Sequence, residues 1–145
     1  MKKSILIIAL MLICFSMKLI AGNEEDCFVK AGDKVYVGKD LKVGLVNMKL
    51  TLKDGTITKF PNKDVTAYRL HDKMYMLLPV ICENNDTLCM AMMQYITSKA
   101  ECSIFKYCCP ENGDLFFVYK NDKFYRRINS SVAKDELAYY DIKVR

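Results

Sequence analysis

Residues Leu115 to Ile128 read LFFVYK, then Asn121-Asp122, then KFYRRI, and this stretch decides the fold. Two runs rich in aromatic and β-branched residues flank a pair of residues that bond local backbone and tolerate positive φ, which is the pattern of a β-hairpin. A two-residue loop pairs Tyr119 with Phe124, Phe117 with Arg126 and Leu115 with Ile128, and this face is expected to be the core face. Phe116, Val118 and Tyr125 then share the other face with Lys120, Lys123 and Arg127. That aromatic and cationic mixture is the candidate binding surface, since such mixtures recur at protein and glycan contacts.

Working outward, the same alternation recurs. Cys27 to Lys30 and Lys34 to Val37 form a first hairpin around Ala31-Gly32-Asp33. Residues 47 to 60, NMKLTLKDGTITKF, carry Asp54-Gly55, the strongest short-range hairpin signal in the chain. A two-residue loop there sets Leu52 against Ile57; a three-residue loop with Gly55 as a bulge sets Met48 against Phe60. Pro61 and Asn62 end that strand, because proline donates nothing to a ladder. Asp64 to Leu70 and Lys73 to Val80 make a third hairpin around His71-Asp72, with Tyr68, Leu70, Met74, Met76 and Leu78 at every second position.

After the polar loop Glu83-Asn84-Asn85-Asp86, the segment TLCMAMMQYIT fits two readings. As a helix it has an N-cap in Asp86 and a polar stripe at Thr87, Gln94 and Ser98; as a strand it is apolar on both faces and belongs in the middle of a sheet. A turn at Ser98-Lys99-Ala100 and a return strand through Cys102, Ile104, Phe105 and Tyr107 favour the strand. A three-residue loop then opposes Cys89 to Cys109, within reach of a bridge. The tail changes period: Asn129, Ser130 and Ser131 start helices, and Val132, Ala133, Leu137 and Tyr140 are helically spaced.

The order of motifs resembles that of uncharacterised small secreted β-rich proteins of the Bacteroidota. It runs from the K-D-G-T hairpin through Y-x-M-L-L-P-V (Tyr75 to Val80), M-M-Q-Y-I, I-F-K-Y (Ile104 to Tyr107) and F-F-V-Y-K-N-D-K-F-Y (Phe116 to Tyr125) to a short helix. The resemblance favours a strand over residues 88–97 and implies no activity and no catalytic residues. The cysteines, notably Cys108-Cys109, are not part of that pattern.

The fold expected is mainly β: an antiparallel meander of hairpins forming a roll or partial barrel, with one C-terminal α-helix. A chain of 145 residues, 52% hydrophobic, buries a core as one domain. Residues 1–21 read as a signal peptide, with Lys2 and Lys3 ahead of an unbroken apolar run of eleven residues from Ile5 to Phe15. Eleven are too few to span a bilayer, so no stable membrane span is expected in the mature chain. Cleavage after Ala21 is favoured, with Ser16 as the alternative, which leaves residues 22–145 as a single secreted or periplasmic domain. Losing Lys2, Lys3 and Lys18 leaves 19 basic residues against 17 acidic, so the net charge falls from +5 to +2. The remaining lysines are scattered, and no nucleic-acid footprint is expected. Export leaves six cysteines, Cys27, Cys82, Cys89, Cys102, Cys108 and Cys109, an even number in an oxidising compartment, where disulfides are the expectation.

Catalytic and metal chemistry find little footing in the sequence. The single histidine, His71, sits beside Asp72 in a predicted turn; as a pair they suggest a small secreted hydrolase. Met74, Met76, Met90, Met92 and Met93 with Cys89 and His71 supply the soft donors of a copper carrier, but methionine at alternate strand positions is core filler. No cofactor motif is present. The leading expectation is an exported, non-catalytic binding or envelope-associated protein, whose partner is a protein or glycan of the envelope or extracellular space.

Overall fold

The structure is a computed structural model that describes residues 26–111, 113–130 and 134–143. The leader expected over 1–21, and Ser131, Val132 and Ala133 in the tail, lie outside these residues. The described strands are β1 (Cys27–Ala31), β2 (Lys34–Gly38), β3 (Asp40–Val43), β4 (Asn47–Thr51), β5 (Ile57–Pro61), β6 (Val65–Leu70), β7 (Lys73–Ile81), β8 (Thr87–Lys99), β9 (Cys102–Cys109), β10 (Gly113–Lys120) and β11 (Lys123–Asn129). One short helix, α1 (Lys134–Tyr139), follows. Hydrogen bonding orders them as an eight-stranded sheet, β11-β10-β9-β8-β7-β6-β1-β2, and a three-stranded sheet, β3-β4-β5. The fold is thus mainly β with a C-terminal helix, and residues 87–99 are strand throughout. The described chain divides into two compact units, residues 26–80 with 87–94 and residues 81–86 with 95–143.

In the first unit, turn chemistry sets the registers of the hairpins. Gly32 takes the positive φ that lets Ala31 pair with Lys34. Between β4 and β5 the loop is the three-residue one. Gly55, at φ +89, donates its N–H to the Leu52 carbonyl at 3.0 Å, the Asp54 carboxylate accepts the Thr56 N–H at 2.9 Å, and Met48 therefore faces Phe60. The bonds from Thr56, its backbone N–H first, hold the Asp54 carboxyl below its usual range. Alternation then turns Met48, Leu50, Leu41 and Phe60 inward, where they join Cys27, Val29, Val65 and Tyr68 in one buried cluster. Each buried side chain of that size contributes about 1.5–3 kcal/mol. Gly38 ends β2 against β4, where a Cβ would drive into the Thr51 carbonyl oxygen; only glycine fits that approach. His71, at φ 54, and Asp72 close a two-residue turn that pairs Tyr68 with Tyr75, their rings stacked at 4.7 Å. Of the five residues expected to alternate along this hairpin, four are consequently divided between faces: Tyr68 and Leu70 fall with Tyr75, while Met74 and Met76 oppose Arg69 and Ala67.

The second unit contains the hairpin that opened the sequence reading. Asn121 and Asp122 both adopt positive φ, and Tyr119 pairs with Phe124 as expected. The next pairs depart from expectation. A bulge places Tyr125 as an extra residue between Phe124 and Arg126, so Val118 opposes Arg126, Phe117 opposes Arg127 and Phe116 opposes Ile128. One inserted residue exchanges the faces of everything beyond it. Ile128 thereby joins Ile104, Phe116, Val118, Leu137 and Tyr140 in a buried cluster beneath α1. On the opposite face Phe117 is fully buried, and Tyr119 sits edge-on to Phe105 at 5.6 Å and Phe124 at 5.9 Å.

The expected disulfides are corrected by the same registers. All six described cysteines are free: Cys27, Cys82, Cys89, Cys102, Cys108 and Cys109. The turn after β8 spans two residues, Ala100-Glu101, and the Ser98 and Ser103 hydroxyls meet across it at 3.1 Å, so the register that opposed Cys89 to Cys109 does not form. Cys27 faces Gly38, Cys102 faces Lys120, Cys108 faces Asp114 and Cys109 faces Gly113; none of these partners is a cysteine.

Candidate functional site: a lysine row behind an apolar tip

The outer face of the three-stranded sheet is built by the alternation that buries its inner face. With Leu41, Met48, Leu50 and Phe60 turned in, Lys42, Lys49 and Lys59 turn out, and the pairings Lys42 with Lys49 and Lys49 with Lys59 align them as one row across three strands. Side chains directly opposite on adjacent strands have Cβ atoms about 4.5–5.5 Å apart, and like charges there are destabilising. All three are exposed. The ion pairs formed among the described residues engage Lys53, Lys99, Lys106, Arg126 and Arg127, and none of the three lysines in the row.

Ahead of the row, along the strand direction, β3 and β4 meet in a tight tip. The Gly44 N–H donates to the Asn47 carbonyl at 3.0 Å, which leaves Leu45 and Val46 at the apex between β3 and β4. Asn62, in the 3-10 turn that follows Pro61, clamps this loop from the side. Its side-chain amide donates to the Gly44 carbonyl at 2.9 Å and the Leu45 carbonyl at 3.0 Å, and its backbone N–H donates to the Val46 carbonyl at 2.9 Å. Three bonds from one residue hold the loop in a single shape. What it holds out is apolar: Leu45 is fully exposed and Val46 is 71% exposed, with Val43 beside them at 43%.

The residues singled out from sequence are distributed differently. Phe116 and Val118 are buried beneath Leu137 and Tyr140, so they offer no surface. Lys120 and Lys123 are exposed beside the turn, and Tyr125 projects from the bulge. Arg127 lies on the Phe117 face, half-buried, where its guanidinium meets the Glu83 carboxylate at 3.0 Å and the Ile81 carbonyl at 3.3 Å. The six residues therefore do not share one face. His71 and Asp72 are exposed turn residues. Met76 and Met93 are buried and Met92 packs on the first unit's core, while Met90 and Cys89 are exposed. Among the described residues no three His, Cys, Asp or Glu side chains converge as a metal site. Although Cys108 is exposed, partial desolvation and then its hydrogen bond to Asp114 push its thiol up, which disfavours the nucleophilic thiolate.

Sequence reasoning missed Lys42, Lys49 and Lys59 because they are seven and ten positions apart. The signal was present in the three-residue loop alternative at Asp54-Gly55, which opposes Lys49 to Lys59 once Met48 faces Phe60. Among the described residues no helix is long and apolar enough to cross a membrane. Comparison of the chain with protein-family models, with curated proteins and with solved structures finds no match.

Proposed function

We propose that the chain is an exported, non-catalytic binding protein of the cell envelope or extracellular space, and that its working surface is the outer face of β3-β4-β5. The observation that carries this reading is the aligned row of Lys42, Lys49 and Lys59, none of which forms an ion pair among the described residues. Stacking like charges in register works against folding, and a sheet that keeps them presents a fixed, closely spaced set of cations suited to a partner with repeated negative charge. The leader expected over residues 1–21 supports export.

The test is retention on an immobilised polyanion such as heparin. The protein is expected to elute at clearly higher salt than the variant carrying Lys42→Gln, Lys49→Gln and Lys59→Gln. Equal elution of the two removes the basis of the proposal.

A further inference from the structure

We infer that the partner of this surface is a lipid bilayer rich in anionic headgroups, on which the protein docks with Leu45 and Val46 inserted. The inference rests on the binding reading above and adds the tip to it. A soluble polyanion has use for the lysine row but none for two exposed aliphatic side chains ahead of it. A membrane interface has use for both.

The dimensions agree. Lys42 and Lys49 lie two residues behind the Gly44 and Asn47 pair that closes the loop. At about 3.3 Å per residue the cations trail the base of the tip by roughly 7 Å. Apolar elements that sit in a bilayer interface enter about 5–10 Å, to the boundary between headgroups and acyl chains. With Leu45 and Val46 at that depth, the lysine ammonium groups reach the phosphates on flexible stems that themselves tolerate apolar surroundings. The Asn62 clamp completes the arrangement. The Gly44, Leu45 and Val46 carbonyls each accept a hydrogen bond from Asn62. The tip thus enters with those backbone acceptors satisfied, which a hydrocarbon boundary demands.

The test is co-sedimentation of the purified protein with phosphatidylcholine vesicles, with and without phosphatidylglycerol, across a salt series. Binding is expected only with the anionic lipid and is expected to weaken as salt rises. Lys42→Gln, Lys49→Gln and Lys59→Gln should each weaken it about fivefold, as for one basic residue near an anionic surface. Leu45→Ser with Val46→Ser, which changes no charge, should weaken it at least about tenfold while leaving heparin retention unchanged. A control with the same charge change elsewhere, Lys120→Gln with Lys123→Gln and Lys134→Gln, should bind as the parent does. Circular dichroism of each variant confirms folding. Heparin retention without vesicle binding, or vesicle binding indifferent to Leu45 and Val46, overturns the lipid inference and leaves the binding reading standing. Failure on both heparin and vesicles overturns both, and equal weakening by the control triple overturns the assignment to this face.

Discussion

The two compact units arrange their cations differently. In the second unit four positive side chains have acidic partners: Lys99 with Asp141 at 3.5 Å, Lys106 with Asp114 at 3.2 Å, Arg126 with Glu136 at 2.9 Å and Arg127 with Glu83 at 3.0 Å. In the first unit Lys53 pairs with Asp26 at 3.1 Å, but Lys42, Lys49 and Lys59 face one another across adjacent strands. Paired cations belong to the fold, since they fasten the tail and the β7–β8 loop to the strands that carry them. A row of like charges does nothing for the fold, and its presence is better explained by what lies outside the molecule. The difference teaches that register, more than the count of basic residues, decides whether cations meet acids or one another.

The sharpest way to test the two-faced character of β4 is at Leu50, next to Lys49 and pointing the other way. Leu50 is fully buried among Leu41, Phe60 and Val65. Leu50→Ala should cost about 2–5 kcal/mol in a denaturant titration, the usual range for removing a packed leucine. A loss below about 1 kcal/mol would mean that the three-stranded sheet is not packed as described, and the lysine row would lose its support with it.

A somewhat smaller effect separates the units by pH. Burial pushes the Tyr119 hydroxyl up to about 12, and that hydroxyl is buried with no hydrogen-bond partner among the described residues. An acid whose folded value is raised holds its proton longer in the folded state than in the unfolded one. The contribution is fully present below the unfolded value of about 10 and is lost as pH rises toward about 12, on the order of 2–3 kcal/mol in all. Tyr119→Phe should abolish that alkaline loss without reducing stability near neutrality, since it also removes an unpaired buried polar atom. Denaturant titrations of the parent and variant at neutral and alkaline pH read the difference. Parallel decline of both proteins would show that Tyr119 is not the group responsible.

These particulars mark how far the sequence could be read. The hairpins at His71-Asp72 and Asn121-Asp122 were legible because a two-residue turn writes its own signature, the first hairpin was read one residue too wide at Ala31-Gly32-Asp33, and for residues 88–97 the neighbouring turn and return strand favoured strand over helix without deciding it. The bulge at Tyr125 was not legible. It needs no glycine, and its cause is a tertiary demand: it turns Ile128 into the cluster beneath Leu137. Because the bulge exchanges Arg126 and Arg127 between faces, the surface expected from this hairpin dissolved, with Phe116 and Val118 covered and Arg127 engaged by Glu83. The disulfide expectation failed for a related reason. An even count of cysteines says nothing about which residues the ladder sets opposite them, and it sets Gly38, Lys120, Asp114 and Gly113 there. The lysines of the row are separated in sequence and meet only when two registers are right together.

Breaking a paired cation should have a measurable but modest effect. Arg126 bonds the Glu136 carboxylate at the start of α1. Both side chains retain solvent contact, so Glu136→Gln should reduce stability by about 0.2–1 kcal/mol, diminishing at high salt. Vesicle and heparin binding should be untouched, because the change lies in the unit whose charges serve the fold.

The smallest stability effect is the most telling, because its sign is reversed. Lys49 stands in the middle of the row and faces two lysines. Lys49→Gln keeps the length and polarity of the side chain, removes both cross-strand repulsions, and should raise stability by a few tenths to about 1 kcal/mol at low salt. The gain should shrink as salt rises, since at about 0.15 M the screening length of roughly 8 Å exceeds the spacing of the neighbours only narrowly. The same substitution should weaken attachment to anionic vesicles. A residue whose removal improves the fold and impairs binding is retained for binding, whereas a Lys49→Gln protein that is less stable than the parent would place this lysine among the structural cations, alongside Arg126 and Arg127.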